Sequence, residues 1–257
     1  MTPDGDEQPK PVRAGGNLVR IQKSVLFDFD AVSQHFDETM INPLFYDRFS
    51  YSLLPTERPR GKLVLGITSP GRGDGKTLVA SNLAVSLALS TENEVLLMDM
   101  NIQRPKIHEL FSVHRKPGLM ESLDGSTIHV TPTRIRNLAV FPLGDSVSNP
   151  IQGIRLAGSG DRNEHHSATE GLKLEHLPEF RNVIFSLEEK FDLIIVDLPS
   201  LGESVIPKLF MKHLDGIVVV INTGKTKKED VDELLNHVDR NQILGFVLNR
   251  ASTGRVV

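Results

Sequence analysis

Apolar and polar positions alternate along the chain in blocks that predict strands and helices in turn. Six short apolar runs have the length and composition of buried strands, and they cover 63–67, 94–99, 137–142, 191–197, 216–221 and 244–248. Stretches with helical spacing lie near 76–90, 175–190, 204–213 and 227–239, whereas 103–136 mixes short helical and irregular pieces. This alternation predicts an α/β fold with a mostly parallel, doubly wound sheet and helices on both faces.

The N-terminal part of the chain lacks this alternation. Residues 1–23 are rich in proline, glycine and charge, which predicts a disordered tail. Over 24–60 the aromatic residues are scattered, and the helical spacing of Phe45, Phe49 and Leu53 predicts one short helix near 43–54. We therefore divide the chain into a tail at 1–23, a helical lead-in at 24–60 and the main α/β domain at 61–252.

Composition narrows the classes of function. The 257 residues carry a formal net charge of −4, so we expect no nucleic-acid partner. The absence of cysteine excludes disulfides, zinc–thiolate sites and a cysteine nucleophile. No stretch approaches the ~20 apolar residues that span a bilayer. We expect a cytoplasmic protein whose membrane contacts are peripheral or pass through a partner.

The most informative segment is a glycine-rich loop between the first main strand and the helix that follows. Its residues are Gly71, Arg72, Gly73, Asp74, Gly75, Lys76, Thr77 and Leu78. Glycine backbone can turn its N–H groups toward a phosphate, Lys76 adds a positive charge, and the Thr77 hydroxyl can bind Mg²⁺. Pro70 stands at the first glycine position of the general motif. The alternative is a glycine-rich turn that only closes a strand–helix connection.

Two acidic residues end apolar strands. Asp99 follows the run at 94–98, and Asp197 follows the run at 191–196. The carboxyl ends of parallel strands line the ligand crevice of an open α/β sheet, so both carboxylates should face the loop. Either can serve as a ligand of Mg²⁺. The alternative is a strand-end carboxylate that caps the next turn.

At these motifs the chain resembles the bacterial tyrosine kinases of exopolysaccharide and capsule synthesis, which are ParA/MinD-like deviant P-loop ATPases. The family has a loop of the form T-S-x-x-P-G-x-G-K-S/T, a strand ending D-x-D-x-R and a strand ending D-x-x-P. Thr68, Ser69, Gly73, Gly75, Lys76 and Thr77 match the first, Asp99 and Asp197 open the others, and 245–250 resembles the closing strand. The resemblance covers about residues 40–252.

The resemblance implies a P-loop NTPase fold, the cofactors ATP and Mg²⁺, and a set of site residues. It implies catalytic roles for Lys76, Asp99 and Asp197, and Mg²⁺ binding by Thr77, Asp99 and Asp197. The loop from Gly71 to Leu78, together with Asn249 and Arg250, would bind the nucleotide, with Asn249 at the adenine. The implied partner is the cytoplasmic segment of a membrane polysaccharide chain-length regulator, which would bring the protein to the inner membrane.

The chain departs from the family pattern in several places. Asn101 replaces the second acid of the middle motif and brings no charge to Mg²⁺. No tyrosine follows Tyr51, so we expect no phosphorylated C-terminal tyrosine cluster. Of the ring-forming E-x-x-R-x-x-R pattern only Arg48 is present, which favours weaker self-association over a ring. Gly71 stands where ParA and MinD proteins carry an extra lysine.

Three hypotheses remain open at this point. The first is an Mg·ATP-dependent tyrosine-kinase-like enzyme that regulates polysaccharide synthesis or export. The second is a nucleotide-dependent switch with weakened chemistry that partners a membrane chain-length regulator, which Asn101 and the missing tyrosines favour. The third is a ParA/MinD-like positioning ATPase, which Gly71 disfavours.

Overall fold

The computed structural model describes residues 62–125, 127–145, 174–201 and 209–250, and the backbone alone of 25–27. The eight strands are β1 Val25–Phe27, β2 Leu63–Thr68, β3 Val95–Asp99, β4 Ile128–Pro132, β5 Leu138–Phe141, β6 Leu193–Asp197, β7 Gly216–Asn222 and β8 Ile243–Asn249. Within the described ranges, the helices whose bounds are defined are α1 Lys76–Ser90, α2 Ile107–Leu110, α3 Leu119–Leu123, α4 Leu177–Glu188 and α5 Lys228–Leu235. Short 3-10 turns lie at Leu174–His176, Met211–His213 and Arg240–Gln242.

The strands form one sheet in the order β1-β4-β5-β3-β6-β2-β7-β8. Every pair is parallel except β4 with β5. The phosphate-loop strand β2 lies between β6 and β7, at the middle of the parallel part. Such a sheet gathers its strand ends at one edge, which is where the loop and both acidic residues lie.

Helices cover both faces of the sheet. One core contains buried side chains of α1 and α2, among them Leu83, Leu87 and Ile107. The other core contains α3 and α4, with Phe180 and Leu187 among its members. The central strands β2, β3 and β6 are buried along their whole length because both faces are covered. The predicted fold class, a mostly parallel, doubly wound α/β sheet with helices on both faces, is confirmed.

Two strands lie where the pattern predicted none. Ile128–Pro132 forms β4 inside the segment expected to be helical and irregular. Its alternating His129 and Thr131 interrupt any apolar run, and its strand character comes from pairing with β1 over its first three residues and with β5 over its last two. Val25–Phe27 pairs with β4 at the edge of the sheet. The expected helix near 43–54, the expected tail and residues 204–208 of the helix expected near 204–213 lie outside the described residues.

The remaining elements differ from their predicted bounds by a few residues. The helix expected over 227–239 ends at Leu235, and a 3-10 turn follows before β8. The last strand is longer than its apolar run and extends from Ile243 to Asn249. Its final residue therefore reaches the same edge of the sheet as the phosphate loop.

Candidate functional site

The phosphate loop connects β2 to α1 through backbone conformations that favour glycine. Gly73 has a φ of 75° and Gly75 a φ of 101°. A Cβ at Gly75 would lie 2.0 Å from the Asn249 side-chain nitrogen, so a larger residue has no room there. Gly75 also precedes the first turn of α1, and no side chain caps that turn. The amides at the start of this 15-residue helix are thus suited to an anion.

Hydrogen bonds from four side chains hold this loop from behind. Ser69 Oγ donates to the carbonyl of Gly71 at 2.7 Å, and Asn249 Nδ2 donates to the carbonyl of Asp74 at 2.8 Å. Lys225 Nζ donates to the carbonyl of Arg72. The buried Asp74 carboxylate accepts from Gly71 N at 3.0 Å. Asp74 therefore braces the loop from inside.

A cleft of about 250 Å³ opens in front of the loop. Its lining comprises Arg72, Gly73, Gly75, Lys76, Thr77, Leu78, Asn101, Gln103, Arg104, Lys106, Ser200 and Arg250. Five of these side chains are cationic and none is acidic. A cationic cleft over a helix N-terminus has the electrostatics that a polyphosphate requires.

The predicted nucleotide-binding residues fall into two groups in this structure. Seven of the ten line the cleft, namely the loop residues Arg72, Gly73, Gly75, Lys76, Thr77 and Leu78 together with Arg250. The other three, Gly71, Asp74 and Asn249, do not line it and belong to the contacts behind the loop. The roles assigned to all ten remain predictions.

Sequence reasoning did not assign Lys106 or Ser200 to the site. Lys106 lines the cleft, and its ammonium also contacts Glu109 at 2.5 Å. Ser200 lies three residues after Asp197, and its short distance in sequence from that acidic strand end could have indicated it as a site residue. Arg104 follows the middle motif and does line the cleft. Gln103 accepts a hydrogen bond from the Arg72 guanidinium, which joins the middle motif to the loop.

Asp197 ends β6 directly beside the loop. Its side chain is fully buried, and Oδ2 accepts a hydrogen bond from Thr77 Oγ1 at 2.6 Å. Oδ1 is buried and has no hydrogen-bond partner among the described residues. Burial raises the pKa of this carboxyl, whereas the Thr77 hydroxyl, the Lys76 charge and the Asn101 side chain lower it. An acceptor oxygen without a partner, next to a hydroxyl and a lysine, is a candidate cation ligand.

Asp99 ends β3 and pairs in register with Asp197. Its side chain is also fully buried, but both of its oxygens accept backbone N–H groups. Oδ1 accepts from Asn101 N at 2.9 Å, and Oδ2 accepts from Lys106 N at 3.0 Å and Ile107 N at 3.1 Å. Burial and the neighbouring Asp197 charge raise its pKa, and these three N–H groups oppose that shift.

The residues present fit a nucleotide with Mg²⁺. Mg²⁺ takes oxygen ligands and usually shares them between protein, phosphate and water. Thr77 and Asp197 supply a hydroxyl and an unpartnered carboxylate oxygen at one place. The described part of the chain contains no cluster of three or more histidine or acidic side chains that could hold a metal without such a ligand.

Comparison with curated proteins returns bacterial polysaccharide proteins and tyrosine kinases. The chain is 29% identical over 189 residues to a succinoglycan biosynthesis transport protein, ExoP, of Rhizobium meliloti, covering 73% of this chain and 22% of that protein. It is 28% identical over 200 residues to the tyrosine-protein kinase Ptk of Acinetobacter johnsonii, covering 74% and 24%. The chain thus spans about a quarter of the length of these two relatives.

A third relative is covered over most of its length. It is the tyrosine-protein kinase CpsD of Streptococcus agalactiae, 25% identical over 195 residues, covering 74% of this chain and 75% of that protein. No protein-family model matches the chain. The relatives' names agree with the family that the motifs indicate, so the predicted resemblance to the bacterial tyrosine kinases is confirmed.

Solved structures share the fold. The chimerical protein CapA2B2 matches with a TM-score of 0.65 at 23% identity, covering 91% of this chain and 96% of that one. The VpsO kinase domain matches with a TM-score of 0.63 at 23% identity, covering 83% and 95%. A MinD cell division ATPase of Pyrococcus furiosus gives 0.53 at 23%, covering 76% and 74%. Of the helices described in this chain, none is long and apolar enough to cross a membrane.

Proposed function

We propose that this chain is an Mg·ATP-binding, protein-tyrosine-kinase-like protein that regulates exopolysaccharide or capsule synthesis or export. The observation that carries the proposal is the cleft itself. It combines two glycines with positive φ, an uncapped helix start and five cationic side chains, and the unpartnered Asp197 oxygen lies beside Thr77. The names of the curated relatives supply the process in which such a protein acts.

The loop and the end of β6 would have separate roles in this function. Lys76 and the amides of Gly73 and Gly75 would hold the phosphates, since they line the cleft from the loop side. Thr77 and Asp197 would hold Mg²⁺, which supplies charge neutralisation at the transferred phosphoryl group when it is bound. Positioning and charge stabilisation by these groups would account for most of the catalysis.

Asp99 has the least direct role in this proposal. Its carboxylate accepts the N–H groups of Asn101 and Lys106, and both of those residues line the cleft. It would thereby hold the turn that faces the phosphoryl group. A direct role as metal ligand or base, which the resemblance implies, would require its buried oxygens to accept a further partner.

The partner and the location belong to the same proposal. The chain would act in the cytoplasm and meet the inner membrane through the cytoplasmic segment of a polysaccharide chain-length regulator. Support comes from the relative named as a succinoglycan biosynthesis transport protein, of which this chain matches 22%. Self-association would be weaker than a closed ring because two of the three ring-motif positions are changed.

One observation favours a second function, a nucleotide-dependent switch with weakened chemistry. Asn101 lines the cleft at the place where the family has an acid, and its amide can neither take a proton nor contribute charge. Such a protein would bind Mg·ATP and change its contacts with a membrane partner, while hydrolysing slowly. The positioning-ATPase alternative is disfavoured because Gly71 stands where that branch carries its extra lysine.

Binding is tested first, with radiolabelled Mg·ATP and the variant Lys76→Met. We expect binding to the wild type and loss of binding in Lys76→Met, with Lys62→Met as the control because Lys62 is exposed just before β2. Equal affinity in wild type and Lys76→Met would overturn the assignment of the loop.

Chemistry is tested second, by adding the partner's cytoplasmic segment to the same incubation. Label on phosphotyrosine supports the kinase and excludes the switch-only alternative. Bound nucleotide without transfer to protein supports the switch. Release of free phosphate that is stimulated by DNA or membranes would instead favour a positioning ATPase.

A further inference from the structure

Hydrogen bonds also hold the side of the phosphate loop that faces away from the cleft. Two carbonyl groups of the loop, those of Arg72 and Asp74, accept hydrogen bonds from side chains that come from elsewhere in the chain. Lys225 donates to the carbonyl of Arg72, and Asn249 Nδ2 donates to the carbonyl of Asp74 at 2.8 Å. Both donors also lie against glycines, since a Cβ at Gly73 would be 3.6 Å from Lys225 Nζ and one at Gly75 would be 2.0 Å from Asn249 Nδ2.

These contacts set the direction of specific N–H groups. In a planar trans peptide the carbonyl and the following N–H point in opposite directions. The carbonyl of Arg72 shares a peptide plane with Gly73 N–H, and the carbonyl of Asp74 shares one with Gly75 N–H. A donor that holds either carbonyl away from the cleft therefore holds the matching N–H toward the cleft, which Gly73 and Gly75 line.

Glycine makes this external support necessary. A residue without Cβ can rotate its flanking peptide planes at low cost, so glycine-rich loops have many orientations to lose when they bind. Gly73 and Gly75 both have positive φ, which few other residues adopt. A donor fixed on rigid backbone removes part of that freedom before any ligand arrives.

Asn249 is itself firmly placed. It ends β8, and its backbone carbonyl accepts from Thr223 N at 3.1 Å in the turn after β7. Its side-chain oxygen accepts from Arg250 N at 2.9 Å, which leaves the amide nitrogen as the group that faces Asp74. Lys225 lies in the same turn, where its N–H donates to the carbonyl of Asn222 at 3.0 Å. The two donors thus lie at the ends of neighbouring strands, Lys225 in the turn after β7 and Asn249 at the last position of β8.

We propose that Asn249 and Lys225 are positioning residues that hold the amides of Gly75 and Gly73 toward the phosphates, so that β7 and β8 set the affinity of the loop. The proposal rests on the function proposed above. It differs from the adenine contact that resemblance implies for Asn249, because here an N–H of the side-chain amide donates to the loop rather than to a base. If the proposal is correct, removing the Asn249 side chain weakens the binding of phosphate groups equally, whether or not the ligand carries a base.

The first test compares ATP with inorganic triphosphate, each with Mg²⁺, by calorimetry on the full chain. Asn249→Ala should weaken both ligands by the same factor, about fivefold, because one hydrogen bond that orders the loop is lost. Asn241→Ala is the matched control, since Asn241 is exposed ahead of β8. Weaker ATP binding with unchanged triphosphate binding would overturn the proposal and assign Asn249 to the base.

The second test separates orientation from simple charge. Lys225→Met should weaken triphosphate about twofold, a smaller effect because its contact with the loop is exposed. Lys228→Met removes the same charge from the start of α5 and should leave affinity unchanged. Equal losses in both variants would mean that Lys225 acts only through net charge, and its positioning role would be rejected.

A third readout needs no ligand. Amide hydrogen exchange of the unliganded protein should become faster in Asn249→Ala over 71–76, while peptides of β3 and β6 keep their wild-type rates. Unchanged exchange over 71–76, or equally faster exchange everywhere, would contradict the proposal. A wild type that binds neither ATP nor triphosphate would refute the proposed function, and the exchange result would still decide whether Asn249 holds the loop.

Discussion

The ends of β3 and β6 look alike in the sequence and differ in the structure. Each strand is apolar, each ends in an aspartate, and Asp99 and Asp197 are paired in register with fully buried side chains. The Asp99 carboxylate accepts three backbone N–H groups within the next eight residues. The Asp197 carboxylate accepts one hydroxyl, and its other oxygen has no partner among the described residues.

The difference separates the stability of the site from its chemistry. A buried carboxylate whose oxygens are saturated by backbone donors stabilises the turn that supplies them. A buried carboxylate with an unpartnered oxygen costs stability unless a ligand or ion completes it. We therefore assign Asp99 to the shape of the site and Asp197 to the cation that the site would hold.

The largest expected effect is on folding. Asp99→Ala also removes a buried charge, but it leaves three backbone N–H groups without their acceptor, and we expect that loss to dominate and to lower the free energy of unfolding by about 3 kcal/mol. Asp197→Ala is the matched variant and should stay within about 1 kcal/mol of wild type, because the lost Thr77 bond is offset by removal of a buried charge. Urea unfolding of the unliganded proteins measures both. Equal destabilisation by the two changes would remove the distinction.

The next largest effect is on catalysis and concerns Asn101, which lies two residues after the end of β3. Asn101→Asp restores an acid in the cleft beside Asp197 and should raise phosphoryl transfer or hydrolysis by at least about tenfold if a missing base limits the rate. Turnover of labelled Mg·ATP measures it, with Asn93→Asp as a control of equal charge ahead of β3. An unchanged rate in Asn101→Asp would mean that the departure at this position does not limit the chemistry.

The smallest effect is the pH dependence of stability. The folded pKa of Asp197 lies above its ordinary 3.8, so the folded state keeps a proton that the unfolded state has already lost. The free energy of unfolding therefore falls as pH rises from 3.8 toward the raised value. Asp197→Ala removes this contribution, so its free energy of unfolding should rise relative to that of wild type across that window. Unfolding at several pH values checks the sign, and a gap that narrows or stays constant would be the wrong result.

Much of the fold could be read from the chain because its central strands are uniformly apolar. The runs that form β2, β3, β6 and β7 are buried on both faces, and such strands can be recognised from their apolar composition alone. The strand Ile128–Pro132 could not be read in this way, because His129 and Thr131 break the run and pairing with β1 and β5 defines it. Such a strand depends on pairing partners that lie far away in the sequence. The periodicity of the segment itself carries no information about those partners.

The residues that meet at the site were predictable from the sequence, but the separate roles of the two aspartates were not. The motifs located Lys76, Thr77 and Asp197 at one place because strand ends meet at one edge of a parallel sheet. They could not separate Asp99 from Asp197, since the donors to Asp99 are backbone groups that any sequence would supply. Nor could they reveal that Asn249 reaches Asp74, a contact across 175 positions of the chain.

We propose that the end of β6 and the phosphate loop together form an Mg²⁺-dependent nucleotide site. Calorimetric titration of ATP into wild type and Asp197→Ala, each with Mg²⁺ and with a chelator, tests this directly. We expect Mg²⁺ to tighten binding about tenfold or more in wild type and to have no such effect in Asp197→Ala. A wild type that ignores ATP, or an Asp197→Ala variant with the full Mg²⁺ enhancement, would contradict it.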